Sequence, residues 1–185
     1  MAYLFDPADL QALAKRHLGL PHEEMMAAIT NDLAKAYPGH IHTKENWILS
    51  ICGGVMGIMR VLHGSLSEYV LIYGTPIGTE GFSGRYRADI WDVMLTGEMW
   101  TYTEEDFRKA LVSKPGDIAY LRRRQAKGVR IFEGSWMLEY GRGAIATALP
   151  FALTGAVTSL DLKPILQTLG IYTRLTIKEL CRGKI

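Results

Sequence analysis

The sequence predicts an α+β fold, with a small β-barrel set between helical segments at the two ends of the chain. Three observations lead there. Apolar residues recur at helical spacing over residues 5–37 and again over 144–180. Between Trp47 and Tyr140 the chain breaks into short runs rich in β-branched and aromatic residues, with glycines punctuating them. Many short strands with glycine at the corners favour a barrel or sandwich over a parallel sheet. At 185 residues the chain fits one domain with a sizeable core. The expected division of residues 1–185 is a helical part over 1–40, a barrel over 41–143 and helices over 144–185.

Composition narrows the function classes. A net charge of +2 gives no global reason to expect a nucleic-acid partner. Cys52 and Cys181 lie far apart, with no CxxC or metal-like spacing, and read as reduced thiols. The amino-terminal residues lack a basic start and meet Asp6 early, so no secretory signal is expected. No run approaches ~18 consecutive apolar residues, so no transmembrane helix is expected either.

The first helix is announced by "FDPADLQALAKRHLG": Asp6 suits the N-cap, Pro7 the first turn, and Asp9 the positive end of the helix. Phe5 and Leu10 are placed to staple that cap, and Gly19 suits the stop. A second helix over 21–37 carries Met25, Met26, Ile29, Leu33 and Tyr37 on one face, a core stripe. Strands are expected near 47–52, 56–62, 66–73, 88–95, 98–103, 116–121, 129–133 and 135–140. "WDVMLTGEMWTY" reads as a hairpin turning at Thr96-Gly97 and resembles the LxGE turn of cupin barrels. The HxH metal motif usual before that turn is missing from "RYRADIWDV".

The tail is helical. "AIATALPFALTGAV" reads as a helix with a kink or start near Pro150. A second helix from Ser159 places Leu162, Ile165, Leu166, Leu169, Tyr172, Thr173, Ile177 and Leu180 at helical spacing. Lys163, Arg174, Lys178, Arg182 and Lys184 accompany them, against Asp161 and Glu179 alone. By pattern, this is either a helix lying in a membrane interface or one closing the core.

The chemistry centres on two solitary acids. In "SWMLEYGRG", alternation puts Trp136, Leu138 and Tyr140 on one face of a strand, with Met137 and Glu139 on the other. Both faces are apolar, as in a strand covered on both sides. A carboxylate there has to be paired, hydrogen-bonded or protonated. Asp92 interrupts "IWDVM" in the same way. If the two acids face one cavity they cannot both ionise cheaply, and a carboxylic acid beside a carboxylate is the equipment for general acid–base work. The alternative is structural: each acid paired with Arg142 or Arg85, or accepting backbone N–H groups. His40 and His42, with Glu45 nearby, only superficially resemble a metal triad, and no metal or other cofactor is expected. "GTEGFSG" lacks the lysine of a phosphate loop, and "LRRRQAKGVR" reads as a solvated basic strand pair.

"HGSLSEYVLIYGTPIGTEGFSGRYRADIWDVMLTGE" and "SWMLEYGRGAIATALPFALTGAVTSLD" strongly resemble the sterol Δ8–Δ7 isomerase and sigma-1 receptor family, over most of the chain from about Pro21. The resemblance implies a cupin-like barrel without metal, closed by two carboxy-terminal amphipathic helices that cover the barrel mouth and rest on a membrane. It implies that Glu139 engages the amine of bound ligands, with Asp92 as its acidic partner and Tyr69 close by. Met59, Leu71, Tyr73, Ile90, Leu149, Ala152 and Tyr172 fall at pocket-lining positions. Glu68 and His63 fall at structural ones, and Gly53 and Gly57 at a subunit contact, implying a homotrimer. The implied partners are a sterol or a cationic amphiphile and a membrane surface, in a peripheral, cytoplasmic or endoplasmic-reticulum-associated protein. Two functions follow: a sterol Δ8–Δ7 isomerase with Asp92 and Glu139 catalytic, or a non-catalytic receptor-like binder using the same pocket. "RRRQAKG" and Val55 depart from the family pattern.

Overall fold

A computed structural model of the chain describes residues 3–184. It begins with α1 (Pro7–Lys15) and α2 (His22–Ala36). Asp6 accepts a hydrogen bond from the Ala8 amide at 2.8 Å, as an N-cap should, and Phe5 and Leu10 are both buried. Met25, Met26, Ile29 and Leu33 face the core as their spacing requires.

Ten strands follow: β1 (Trp47–Cys52), β2 (Val55–Gly64), β3 (Glu68–Thr75), β4 (Thr79–Phe82), β5 (Ala88–Thr96), β6 (Met99–Thr103), β7 (Leu111–Ser113), β8 (Ile118–Leu121), β9 (Lys127–Ile131) and β10 (Ser135–Gly143). They form two antiparallel sheets, one in the order β1-β2-β3-β10-β5-β8 and the other β4-β9-β6-β7. The wall of the cupin-like α+β fold is therefore two facing sheets, not one continuous ladder. Beyond β10 come a 3₁₀ turn (Ile145–Ala148), α3 (Leu149–Ala152), α4 (Thr154–Thr158) and α5 (Leu162–Leu180), which cover the barrel.

Strand alternation divides the six-stranded sheet between two cores. Val70, Ile72, Val93, Leu95, Leu138 and Tyr140 pack with the buried faces of α1 and α2. Val55, Met59, Val61, Tyr73, Met94 and Met137 turn the other way and meet Met99, Val129 and Ile131 of the second sheet, together with Ile171 and Leu175 of α5. Each strand residue thus contributes to one of two separate layers, which is why "EYVLIY" and "WMLEY" carry no polar face.

Four expectations are corrected. Strands β4 and β7 have no counterpart among the predicted runs, because both are short and largely exposed. Thr96-Gly97 does not turn a hairpin: β5 pairs with β10 and β8, and β6 with β7 and β9. The chain crosses between sheets there instead. Gly97 sits at φ +71° against Ser135, and the Ser135 hydroxyl accepts from the Glu98 amide at 2.9 Å. A helix does start near Pro150, but the stretch is a 3₁₀ turn followed by two short helices, not one continuous helix, because it has no side-chain cap and contains Pro150 and Gly155. Finally, β9 starts at Lys127, two residues before the expected 129, and this shift alters the chemistry of the interior.

The termini are tied to the sheet by one acid. Glu68 is fully buried on the helix side of β3, where its carboxylate accepts from the Leu4 and Phe5 amides (2.8 and 3.2 Å), the Tyr140 hydroxyl (2.7 Å) and Lys184. Burial alone pushes its pKa up, but these donors outweigh it and hold Glu68 below the usual carboxylate range. His40 does a similar job for α5, with Nδ1 2.7 Å from buried Glu179.

Candidate functional site

The ten residues expected to form a ligand pocket meet. Met59, Tyr69, Leu71, Tyr73, Ile90, Asp92, Glu139, Leu149, Ala152 and Tyr172 all line one cavity of about 200 Å³ between the sheets, beneath the carboxy-terminal helices. The strands explain this. Tyr69, Leu71 and Tyr73 alternate on the inner face of β3, Ile90 and Asp92 on that of β5, and Met137 and Glu139 on that of β10.

Glu139 lies directly opposite Asp92 in the β10–β5 register and opposite Leu71 in the β10–β3 register. Side chains so placed have Cβ atoms about 5 Å apart, and two like charges there repel in surroundings that screen poorly. Tyr69 donates to Glu139 Oε1 at 2.6 Å. Its reach depends on Gly141, which faces Tyr69 across the strand pair: a Cβ at 141 would lie 2.2 Å from the tyrosine ring. The ring leans over the glycine and delivers its hydroxyl to the carboxyl two residues earlier.

Asp92 is paired, and not with an arginine. Lys127 Nζ lies 2.5 Å from Asp92 Oδ2, with the lysine 7% and the aspartate 4% exposed. Arg85 instead binds Glu104 at 2.8 Å, and Arg142 lies over the rings of Tyr3 and Trp91. The basic run is therefore solvated only in part. Lys127, Val129 and Ile131 point inward, while Arg130 is exposed. The signal was present in the sequence as the alternation of "KGVRI", which puts the lysine on the apolar face.

These contacts set the protonation state. Burial first, then the adjacent Asp92, push Glu139 up to about 7, against a smaller downward pull from the Tyr69 hydroxyl and Lys127. Tyr69, Tyr73 and Tyr86 are raised by burial and then by neighbouring acidic groups, so all three stay neutral phenols. The Tyr73 hydroxyl is buried and has no hydrogen-bond partner among the described residues. The cavity thus sets a carboxyl that titrates near neutrality opposite Asp92 and its Lys127 ion pair, within largely apolar walls.

The remaining candidates are dispersed. His40 is engaged by Glu179, His42 donates its amide to Leu62, and Glu45 lies 3.6 Å from Arg60. Among the described residues no three His, Cys, Asp or Glu side chains converge as a metal site. Gly53 and Gly54 make the β1–β2 turn with φ of +58° and +87°. A Cβ on Gly57 would lie 2.5 Å from the Tyr73 hydroxyl. Contacts within the chain are enough to require glycine at 53 and 57.

Residues 1–184 match the family model described as "ERG2 and Sigma1 receptor like protein". The chain belongs to this family. It is 41% identical over 180 residues to "Sigma non-opioid intracellular receptor 1" of Gallus gallus, covering 96% of this chain and 81% of that protein. It is 40% identical over 176 residues to "Protein erg2 homolog" of Dictyostelium discoideum, covering 95% and 75%. It is 36% identical over 187 residues to "C-8 sterol isomerase ERG2" of Gibberella zeae, covering 99% and 79%. A solved RmlC-like cupin from Shewanella frigidimarina overlaps 55% of this chain and 85% of its own, at a TM-score of 0.44 and 16% identity. Relatives named as an isomerase and as a receptor therefore match at comparable identity.

Proposed function

We propose that the cavity binds a polycyclic lipid of the sterol class and moves a ring double bond from C8–C9 to C7–C8. In the first step the π electrons form a C9–H bond with a proton from a carboxylic acid, leaving a tertiary cation at C8 and a new carboxylate. In the second, a proton leaves C7 for a carboxylate of the pair, and the C7–H electrons complete the C7–C8 double bond. No redox partner is needed. The observation that carries this reading is the facing pair Glu139 and Asp92, with Lys127 on Asp92 and Tyr69 on Glu139, in a largely apolar cavity. It supplies a donor and a base in largely apolar surroundings, and a negative charge develops at Glu139 as its proton leaves.

The test is turnover. Purified protein in detergent or liposomes, given a Δ8 sterol in D₂O, is expected to release a Δ7 product carrying one solvent-derived deuteron at C9, read by mass spectrometry. Glu139→Gln and Asp92→Asn are each expected to lower kcat by about 10²–10⁴. Sterol binding without any Δ7 product would point to the second reading, a ligand-binding protein without turnover, which the receptor-named relatives support.

The helical cover supports a membrane-surface setting. One face of α5, with Thr168, Ile171 and Leu175, packs on the barrel. The other presents Leu162, Leu166, Leu169, Ile177 and Leu180 outward, beside Lys163, Arg174 and Lys178. No helix among the described residues is long and apolar enough to cross a membrane. An interfacial helix with an apolar stripe and basic flanks binds anionic bilayers in the plane of the surface. The double substitution Leu162→Glu and Leu166→Glu is expected to weaken partitioning into phosphatidylserine-containing vesicles by at least about tenfold. Cosedimentation measures it, and unchanged partitioning would exclude this face.

A further inference from the structure

The arginines that precede Lys127 converge on the outside of the barrel. Arg122, Arg123 and Arg124, just beyond β8, meet Arg85 and Arg87, just before β5, along an open groove of about 940 Å³. We propose that this groove seats the phosphate of an anionic phospholipid headgroup and so docks the barrel on a bilayer beside its helical cover. The proposal rests on the membrane-surface setting inferred above and deepens it, naming the lipid chemistry and the residues that read it.

Local structure builds the groove. The Arg124 amide donates to the Tyr86 carbonyl at 2.8 Å, and Arg85 Nη1 donates to the Arg124 carbonyl at 2.7 Å, so the two loops are bonded to each other. Arg124 holds φ at +65°, a left-handed conformation that glycine adopts freely and a long side chain adopts at a cost. Two of the guanidiniums are engaged: Arg85 binds Glu104 at 2.8 Å, and Arg123 binds Asp89 at 2.5 Å. Glu105, also on the wall, faces the Gln125 amide at 3.4 Å. Arg87, Arg122 and Arg124 are exposed, and among the described residues no acid pairs with them. Cations gathered in this way repel one another until an anion arrives. A phosphate suits them, because its oxygens accept two parallel hydrogen bonds from one guanidinium fork.

The position of the groove selects a lipid. Gly143 and Ala144 line it, and from them the chain enters the covering helices. Arg87 is tied to that junction twice: its amide donates to Thr147 Oγ1 at 3.1 Å, and its carbonyl accepts from the Ala144 amide at 3.0 Å. Tyr3 and Leu66, both exposed, add apolar surface to the same wall. The cover that follows exposes Leu160, Leu162 and Leu166. Arginines set beside such a surface match the layering of a bilayer leaflet, where phosphates lie just outside the acyl chains. By contrast, Lys15, Arg16 and Lys35 are exposed on α1 and α2, which pack on the other face of the six-stranded sheet from α5.

Cosedimentation with phosphatidylcholine vesicles containing phosphatidylglycerol tests this. Arg87→Gln, Arg122→Gln and Arg124→Gln combined should weaken partitioning by at least about tenfold. Lysine at the same positions keeps the charge and should still cost about threefold, since an ammonium cannot make the forked contact. Lys15→Gln, Arg16→Gln and Lys35→Gln combined should cost less than about twofold, because charges beyond a Debye length from the bilayer are screened. A glutamine triple variant that partitions like wild type, or a lysine triple variant unchanged from it, overturns the proposal; the second result would mean diffuse attraction without a phosphate seat. The source of the phosphate is read by NMR of the arginine Nε–H groups. Dihexanoyl phosphatidylglycerol, kept below its micelle threshold, should shift Arg87, Arg122 and Arg124 at lower concentration than inorganic phosphate does. An equal response to inorganic phosphate, or none to the lipid, overturns the lipid assignment. If wild type ignores every vesicle, the membrane-surface setting fails and the docking with it. The NMR titration, which needs no bilayer, then decides the headgroup seat by itself: shifts from the short-chain lipid keep it, and their absence removes it.

Discussion

Replacing Glu68 with alanine is expected to lower the unfolding free energy by about 3–5 kcal/mol, as expected when one partner of a buried charge network is removed. Glu68 is fully buried, and its two carboxyl oxygens satisfy four donors from both ends of the chain and from β10. Alanine leaves the Leu4 and Phe5 amides without that acceptor, and unpaired buried donors carry the desolvation cost of the missing bond. The Tyr140 hydroxyl retains the Phe5 carbonyl at 3.1 Å, and Lys184, at the end of the chain, can turn to water. Most of the loss therefore falls on residues 4–15, which Glu68 holds against the sheet. Urea unfolding measures the magnitude, and hydrogen exchange should show α1 amides losing protection before those of β3 or β10. A loss below about 1 kcal/mol, or uniform loss of protection, would refute the role of Glu68 as the tie between the termini.

Replacing Glu139 with glutamine is expected to stabilise the protein, and only at higher pH. The folded state raises this carboxyl from its ordinary 4.5 to about 7, so the folded protein holds the proton more tightly than the unfolded chain. Between those values the folded state binds more protons, and stability falls as pH rises; the contribution is complete below about 4.5 and lost above about 7. Glutamine stays neutral throughout and still offers Tyr69 an acceptor. At pH 8 the variant should exceed wild type by on the order of 3 kcal/mol, shrinking toward zero near pH 4. Parallel denaturation at the two pH values reads this. Equal pH slopes for the two proteins would show that Glu139 is not held protonated by its surroundings. The loss of turnover proposed for the same substitution makes the contrast informative, because one change would then remove both a stability cost and the proposed proton donor.

The two strands that matter most were legible because alternation is a local rule. "WMLEY" and "IWDVM" each show an acid on an apolar face, and a strand covered on both sides leaves such an acid nowhere to go except a neighbour. The helix stripe of Met25, Met26, Ile29 and Leu33 was legible for the same reason. Lys127 was misread because three arginines precede it. Composition over a window spoke for solvent, while the phase of the strand, which sends Lys127 inward and Arg130 outward, spoke for burial. The crossing at Thr96-Gly97 was misread as a hairpin because a glycine turn looks the same whether the chain re-pairs with itself or passes to another sheet. What decides is Ser135, which holds the turn from 37 residues away.

The sequence by itself determined which residues form helices and most of the strands, which face of each is apolar, and that Glu139 and Asp92 stand alone among hydrophobic neighbours. Periodicity and burial cost are properties of the chain within a few residues. Only the tertiary structure decided that these acids are partners across one strand pair, that Gly141 lets Tyr69 reach Glu139, and that a lysine from the opposite sheet neutralises Asp92. Charge balance in a cavity depends on which elements converge there, and convergence is set by strand order and register, which no local pattern encodes.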